Sequence, residues 1–147
     1  GIREQILLAH FPGTSVAAKI PSESSVLVVE DDTAIRRLVK SVLEREGYRV
    51  DIASDGLEAV LKLGVVEYDV IVLDLMMPNL DGFSFINTIA ANDPARLKRV
   101  IVTSAASPSV IKDRLEGAPF RVLPKPFDII ELARQVRSCI DAAEART

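Results

Sequence analysis

The side chains best suited to chemistry in this sequence follow runs of apolar residues. Asp74 comes directly after the run 70–73, which is typical of a strand buried on both faces. A carboxylate there cannot turn into the core without a large desolvation cost, so it must emerge at the mouth of a sheet. Three other apolar runs are followed in the same way by Glu30 and Asp31, by Ser104, and by Lys125. Carboxylates, a hydroxyl and an ammonium group at one edge of a sheet are groups that suit phosphoryl chemistry.

The three carboxylates need a cation if they meet. Close carboxylates repel one another, and a divalent ion relieves that repulsion. Oxygen ligands with no His or Cys nearby select a hard ion, of which Mg²⁺ is the most available, and Mg²⁺ readily shares its remaining positions with phosphate oxygens. A carboxylate can also act as a nucleophile, because aspartyl phosphates are a known class of covalent intermediate. Glu30, Asp31 and Asp74 are therefore predicted to form a magnesium site for phosphoryl chemistry.

Lys125 and Ser104 would complete that site. Lys125 stands between Pro124 and Pro126, which fix the backbone and so direct the side chain. Its charge would hold Asp74 ionised and neutralise a phosphoryl group, while the Ser104 hydroxyl could bond a phosphoryl oxygen. Taken singly, each residue has a simpler explanation, since acids cap helices, serines form turns and lysines are usually solvated. Their joint position after strands at one end of a sheet favours the functional interpretation.

Strands and helices alternate along the chain, which determines where these residues meet. Five such repeats predict an α/β fold, a parallel sheet with helices on both faces. The runs at 26–29, 70–73 and 100–103 are the most apolar and belong in the centre, while 48–52 and 121–123 suit the edges. The expected arrangement is the flavodoxin-like, doubly wound five-stranded sheet of order 2-1-3-4-5, whose ligand site lies at the switch point between strands one and three.

Helical spacing and capping residues predict the connecting helices. Gly47 is expected to end the first helix in a left-handed conformation, and Asp55 with Glu58 to open the second as a capping box. The predicted inner face of the second helix is Leu57, Val60 and Leu61. A fourth helix, with Val110, Ile111 and Leu115 inward, is expected to open at Ser107 and Pro108.

Length and composition are those of one globular domain. The chain has 147 residues, 48% of them apolar, which is enough for a single core. A net charge of −3 argues against a nucleic-acid-binding body, and no apolar run approaches the roughly 18 residues that span a membrane. The single Cys139 and the lack of a clear secretory signal favour a cytoplasmic location. Residues 1–24 are interpreted as an N-terminal extension or a vector remnant, and residues 25–147 as the domain.

Four motifs occur in order between about residues 26 and 143. They are Glu30-Asp31-Asp32, Asp74-Leu75-Met76-Met77-Pro78 with Asp81-Gly82, Ser104-Ala105, and Lys125-Pro126-Phe127. This combination resembles the receiver domain of bacterial two-component response regulators, the CheY-like domains.

The resemblance implies a role for each acidic residue. Asp74 would accept a phosphoryl group from a phosphohistidine on a histidine kinase or a phosphotransfer protein. Mg²⁺ would be held by Asp31 directly, by Glu30 through a water, by Asp74 and by the backbone carbonyl of Met76. Asp32 would belong to the loop or to the start of the helix.

The resemblance also implies a switch, with Lys125 as the cation characteristic of the family. Ser104 would be the switch hydroxyl, and it is preferred over its neighbour Thr103 because a small residue follows it, as in the family pattern. The family often has an aromatic residue three positions before the lysine, where this chain has Val122. Phe120 has the same strand parity one pair away, so the aromatic part of the switch is an open question.

Three functions compete. The resemblance implies a signalling domain rather than an enzyme, supporting at most its own phosphorylation and autodephosphorylation. Its state would be read by an output partner or a second copy at a face formed by helix four, strand five and helix five. An aspartyl-nucleophile phosphatase is the enzymatic alternative, but the second Asp that such enzymes use is Met76 here. The third is a receiver-like binding module that never uses phosphate, and the complete acidic site argues against it.

Overall fold

The apolar runs of the sequence form the strands of one sheet. The computed structural model describes residues 24–77, 81–91, 93–107, 109–110, 113 and 118–145, with side chains as far as residue 143. The strands are β1 (Ser25–Val29), β2 (Arg49–Ala53), β3 (Val70–Asp74), β4 (Val100–Ser104) and β5 (Arg121–Pro124). The helices are α1 (Thr33–Arg45), α2 (Gly56–Leu63), α3 (Gly82–Ala90) and α4 (Ile129–Ala145), with a 3₁₀ helix over Pro94–Arg99.

The sheet has the predicted order, β2-β1-β3-β4-β5, and every neighbouring pair is parallel. Strands β1, β3 and β4 are buried along their whole length, whereas β2 and β5 at the edges are only partly buried. Side chains alternate between two core layers, because successive strand residues point to opposite faces. Leu27 packs in the layer that holds Ala59 and Phe85, and Val28 in the layer that holds Val39 and Leu132. Helices therefore cover both faces, which confirms the doubly wound fold.

Capping residues start and stop the helices as the sequence predicts. Asp32 accepts a hydrogen bond from the Ile35 amide at 2.9 Å, so it begins α1. Asp55 accepts one from the Glu58 amide at 2.8 Å and begins α2. Gly47 follows α1 with a φ of 98°, a conformation that side chains rarely adopt.

The predicted inner face of α2 is wrong. Leu57, Val60 and Leu61 are 71%, 43% and 63% exposed, and the residue buried against the sheet is Ala59. Leu63, one turn later, packs partly on the same core layer. A small residue lets the helix approach the sheet closely, so the sheet-facing side is rotated away from the larger apolar residues.

The predicted fourth helix lies mostly outside the described residues. Residues 109, 110 and 113 are helical, but Ile111 and Leu115 are not described, and Val110 is 45% exposed rather than inward. Residues 1–23 also lie outside the described ranges, so the interpretation of the N-terminal extension stays a prediction. In the part of the chain that is described, none of the helices has both the length and the apolar character to cross a membrane.

Candidate functional site

Parallel pairing of β1 and β3 brings the acidic residues together. Val29 and Leu73 are register partners, so the next residue of each strand, Glu30 and Asp74, emerges at the same edge of the sheet. One carboxylate oxygen from each of Glu30, Asp31 and Asp74 lies within 4.8 Å of the others. Glu30 and Asp74 are buried and Asp31 is exposed, so the cluster opens to solvent on one side.

Lys125 joins this cluster from the far edge of the sheet. Its Nζ donates to Oδ2 of Asp74 at 3.0 Å and to Oε1 of Glu30 at 3.0 Å. Its backbone amide donates to the Ser104 carbonyl at 2.7 Å, which extends the pairing of β4 and β5 by one residue. The peptide bond between Lys125 and Pro126 is cis. Because its ammonium group contacts both acids, Lys125 bridges two carboxylates that would otherwise repel each other.

Burial and the contacts between opposite charges have opposing effects on the pKa values of Glu30 and Lys125. Burial raises the pKa of Glu30, and the hydrogen bond from Lys125 offsets only part of that rise. Burial by itself would lower the pKa of Lys125, but hydrogen bonds to Glu30 and Asp74 outweigh it, so the pKa of the ammonium is raised. The ammonium group therefore stays charged beside the carboxylates.

Asp74 is held by more than the lysine. Its Oδ1 accepts a hydrogen bond from the Met76 amide at 3.1 Å, which turns the chain just after β3. The Leu75 amide donates to the Thr103 carbonyl at 2.9 Å, so this turn is fixed to β4. The carboxylate is thus positioned at the end of the most central strand of the sheet.

The donor set of the cluster fits a hard divalent cation. Three carboxylates face a single ammonium group, all the ligand atoms are oxygens, and Asp31 is reachable from solvent. Such a set is compatible with Mg²⁺, which takes few protein ligands and keeps several waters.

The two candidate hydroxyls lie on different faces of β4. Ser104 is fully buried and its Oγ accepts a hydrogen bond from the Ala106 amide at 3.0 Å. Thr103 is the register partner of Asp74, while Ser104 is paired with Pro124 on β5. Register partners in a sheet point to the same face and successive residues alternate, so Thr103 shares the face of Asp74 and Ser104 belongs to the opposite face. The cluster of Glu30, Asp31, Asp74 and Lys125 therefore forms without a direct contact from Ser104 within the described residues.

Val122 and Phe120 both pack, partly buried, on the core layer that contains Val102. Val102 and Val122 are register partners, so Ser104 and Val122 share strand parity. Phe120 precedes β5 but packs on the same layer as Val122, which agrees with the strand parity predicted for these two residues.

Sequence reasoning missed one residue near the cluster. Nη1 of Arg36 donates to the carbonyls of Glu30 and Asp31, at 2.8 Å and 3.2 Å. The available signal was its spacing, because a residue four positions after the helix cap Asp32 lies above the loop that precedes the helix.

Comparisons with known proteins show the family of the chain. Residues 26–137 match the response regulator receiver domain family. The transcriptional regulatory protein TrcR of Mycobacterium tuberculosis is 34% identical over 139 residues, which cover 92% of this chain and 52% of that protein. The chain spans about half the length of the curated relatives it matches.

Solved receiver domains have the same fold. The receiver domain of the Francisella response regulator 1452 is 34% identical, with a TM-score of 0.73 over 82% of this chain and 99% of that chain. The response regulator TrrA of Thermotoga maritima, solved in complex with Mg²⁺-BeF, is 30% identical, with a TM-score of 0.69 over 80% and 99%. The chain therefore belongs to the response regulator receiver domain family of two-component signalling systems.

Proposed function

We propose that this receiver domain accepts a phosphoryl group on Asp74 in a Mg²⁺-dependent phosphorelay. The observation that carries the proposal is the Asp74 carboxylate itself, buried at the end of the central strand β3 and 3.0 Å from the Lys125 ammonium. A buried, cation-paired carboxylate within 4.8 Å of two other acids suits a role in phosphoryl transfer better than a purely structural role.

In the proposed reaction an oxygen of Asp74 forms a bond to phosphorus as the bond from phosphorus to the donor histidine nitrogen breaks. Lys125 neutralises charge on the acceptor carboxylate and then on the phosphoryl oxygens, because its Nζ already contacts Asp74. The amide of Met76 holds the other carboxylate oxygen in place. Histidine kinases and histidine phosphotransfer proteins are the proposed donors.

Glu30, Asp31, Asp74 and the backbone carbonyl of Met76 are the proposed ligands of Mg²⁺. The ion would neutralise charge on the transferred phosphoryl group. The all-oxygen donor set supports this proposal. The crystal structure of the related TrrA in complex with Mg²⁺-BeF supports it as well. Asp31 lies on the solvent side of the cluster, where an incoming ion and donor would arrive.

Ser104 is the proposed switch residue. Its hydroxyl is buried and bonded to the Ala106 amide, so a turn of the side chain towards a phosphoryl group on Asp74 would break that bond and move the following loop. Val122 occupies the position where the family often has an aromatic residue. We therefore propose that the response to phosphorylation depends on the Ser104 hydroxyl and on the loop that follows β4.

The surface through which the receiver passes its signal to an output partner is also a proposal. TrcR is named a transcriptional regulatory protein, and this chain matches about half of its length. We propose that residues 25–147 form the receiver unit in the cytoplasm, and that the face of the predicted fourth helix, β5 and α4 binds an output partner or a second copy. Direct binding of nucleic acid by the receiver is not part of the proposal, given its net charge of −3.

Treatment with a small-molecule phosphodonor and Mg²⁺ tests the assignment. The wild-type chain should gain one phosphoryl group that hydroxylamine removes, and the Asp74→Asn variant should gain none. Asp93→Asn is the matched control, because Asp93 is an exposed helix cap next to the 3₁₀ helix, remote in sequence from the cluster. Labelling of Asp74→Asn to the wild-type extent would contradict the proposal. Failure of the wild type to bind millimolar Mg²⁺ would favour the phosphate-independent binding module.

A further inference from the structure

The loop between β1 and α1 is held from its helix side by one guanidinium group. Nη1 of Arg36 donates to the carbonyl of Glu30 at 2.8 Å and to the carbonyl of Asp31 at 3.2 Å, and Nη2 lies 3.5 Å from Oγ1 of Thr33. Charge-assisted hydrogen bonds of this kind are stronger than neutral ones, and a planar guanidinium fixes their direction. Two consecutive peptide units of the acidic loop are therefore fixed to the first turn of α1.

The other contacts of this loop reach neither the side chain nor the carbonyl of Asp31. The Glu30 amide donates to the Ala53 carbonyl at 3.0 Å, and the Asp32 amide donates to Oε2 of Glu30 at 3.1 Å. Within the described residues the Asp31 carboxylate itself accepts no hydrogen bond, and the residue is exposed. Its direction therefore depends on its own backbone, and the contact that holds the Asp31 peptide carbonyl comes from Arg36.

We propose that Arg36 is a positioning residue that orients the Glu30–Asp31 loop for Mg²⁺ binding. The inference rests on the proposed function of the acidic cluster, but it assigns a role to a residue outside that cluster. Partners that orient metal ligands without touching the metal commonly contribute tenfold or more to metal affinity. Arg36 acts through the backbone of the loop rather than on the ion.

The charge of Arg36 and its contacts to the loop should affect Mg²⁺ binding in opposite directions. A guanidinium near a cation site repels the cation, so removal of the charge alone would strengthen Mg²⁺ binding. Loss of the contacts to the Glu30 and Asp31 carbonyls would weaken it instead. The sign of the change therefore separates a positioning role from a purely electrostatic one.

Arg37 provides a matched control on the same helical turn. It is exposed, and in the described part of the chain no hydrogen bond or ion pair involves it. Arg37→Ala removes one positive charge close to the loop without removing a contact to it. Arg36→Lys keeps the charge but loses the planar, two-nitrogen geometry.

The experiment measures Mg²⁺ dissociation constants by calorimetry, and amide hydrogen exchange at Glu30 and Asp32, whose amides are hydrogen-bonded, in metal-free protein. We expect Arg36→Ala to raise the dissociation constant about tenfold over Arg37→Ala and to speed exchange at both amides. Arg36→Lys should fall between them. Phosphorylation by a small phosphodonor should need more Mg²⁺ in Arg36→Ala but reach a similar rate at saturation.

Unchanged or tighter Mg²⁺ binding by Arg36→Ala would overturn the inference while leaving the proposed function intact. If Arg36→Ala does not fold, Arg36→Lys decides, and binding equal to that of the wild type, which has the same charge, would overturn the inference. A wild-type chain that binds no Mg²⁺ would overturn the magnesium site and this inference together.

Discussion

At the residue scale, Lys125 is the cation on which the acidic cluster depends. Its ammonium lies 3.0 Å from carboxylate oxygens of both Glu30 and Asp74, and both acids are buried. Removing one member of such a group leaves buried charge without a partner, which costs more than the net value of the contact. A divalent cation at the same acids would supply much of the missing charge.

In metal-free buffer, Lys125→Met is expected to lower the free energy of unfolding by about 2 kcal/mol, because two buried carboxylates lose their cation. Added Mg²⁺ should reduce the difference in the free energy of unfolding between Lys125→Met and the wild type. Urea unfolding checks this, with Lys40→Met as control, since Lys40 forms an exposed pair with Glu44 worth about 0.5 kcal/mol or less. A Lys125→Met protein as stable as the wild type, or a gap that widens with Mg²⁺, would count against the bridging role.

The two hydroxyls of β4 give a second prediction at this scale. Ser104→Ala should remove the response to phosphorylation at the face of β5 and α4, because the buried hydroxyl and its bond to Ala106 are lost. Thr103→Ala should keep that response. The readout is the phosphorylation-dependent change in amide chemical shifts of β5 and α4. A normal response in Ser104→Ala beside a lost one in Thr103→Ala would reverse the assignment.

The sequence predicted the members of the cluster but not all of its contacts. Glu30, Asp31, Asp74 and Lys125 converge because each follows a parallel strand, and strand ends can be recognised from apolar runs. The contact of Arg36 with two loop carbonyls depends on the rotamer of a long side chain, which spacing alone does not determine. The choice between Ser104 and Thr103 depends on strand parity at the end of β4, where a one-residue shift exchanges the faces.

At the element scale, the junction of β3 and α3 has little free space. Gly82 opens α3, and a Cβ at this position would lie 2.6 Å from the Leu75 carbonyl oxygen. Leu75 precedes Met76, whose amide holds Asp74. The start of α3 therefore lies close against Leu75, next to the residue whose amide holds the Asp74 carboxylate.

Gly82→Ala is expected to destabilise the domain by about 1–3 kcal/mol and to slow phosphorylation, because Leu75 must shift away from the new side chain. Gly64→Ala is the matched control: its Cβ would lie 3.5 Å from the Leu61 carbonyl, an ordinary contact, so stability should be unchanged or slightly higher. Urea unfolding and phosphorylation rates measure both effects. Equal behaviour of the two variants would show that the junction accommodates a side chain.

The start of α2 gives a pH dependence. Oε1 of Glu58 accepts hydrogen bonds from the Ser54 amide at 2.8 Å and from the Ser54 hydroxyl at 3.0 Å. The hydrogen bond from the amide lowers the pKa of Glu58 below its usual value of 4.5. A lowered pKa in the folded state adds stability above the unfolded pKa, and this stability is lost as pH falls through the folded value. Glu58→Gln should therefore be less stable than the wild type near neutral pH, by less than about 1 kcal/mol because the site is exposed.

Urea unfolding between about pH 6 and about pH 3.5 checks this dependence, and the gap between the two proteins should close as pH falls. A gap that stays constant over this range would mean that the charge of Glu58 does not contribute.

The inner face of α2 shows what element-level reasoning could not find. Spacing favoured Leu57 and Leu61, but the close approach of the helix is made by Ala59. Apolar size and helical period identify a helix, whereas its rotation depends on how near the sheet a small residue lets it come. The same limit applies to Val110, which is exposed although its spacing favoured burial.

At the scale of the whole molecule, the order 2-1-3-4-5 could be predicted because burial differs so clearly among the strands. Central strands buried on both faces are continuous apolar runs, and edge strands are not. That order creates the switch point between β1 and β3, and the acidic cluster lies there. The fold and the position of the acidic cluster therefore follow from one pattern.

Identification of the phosphorylated residue would show directly whether Asp74 is the phosphoryl acceptor. The chain would be treated with a small-molecule phosphodonor, with Mg²⁺ or with a chelator, and the phosphoryl group located by tandem mass spectrometry. We expect phosphorylation of Asp74 when Mg²⁺ is present and almost none with the chelator. A phosphoryl group on another residue, or equal labelling of Asp74 without a divalent cation, would contradict it.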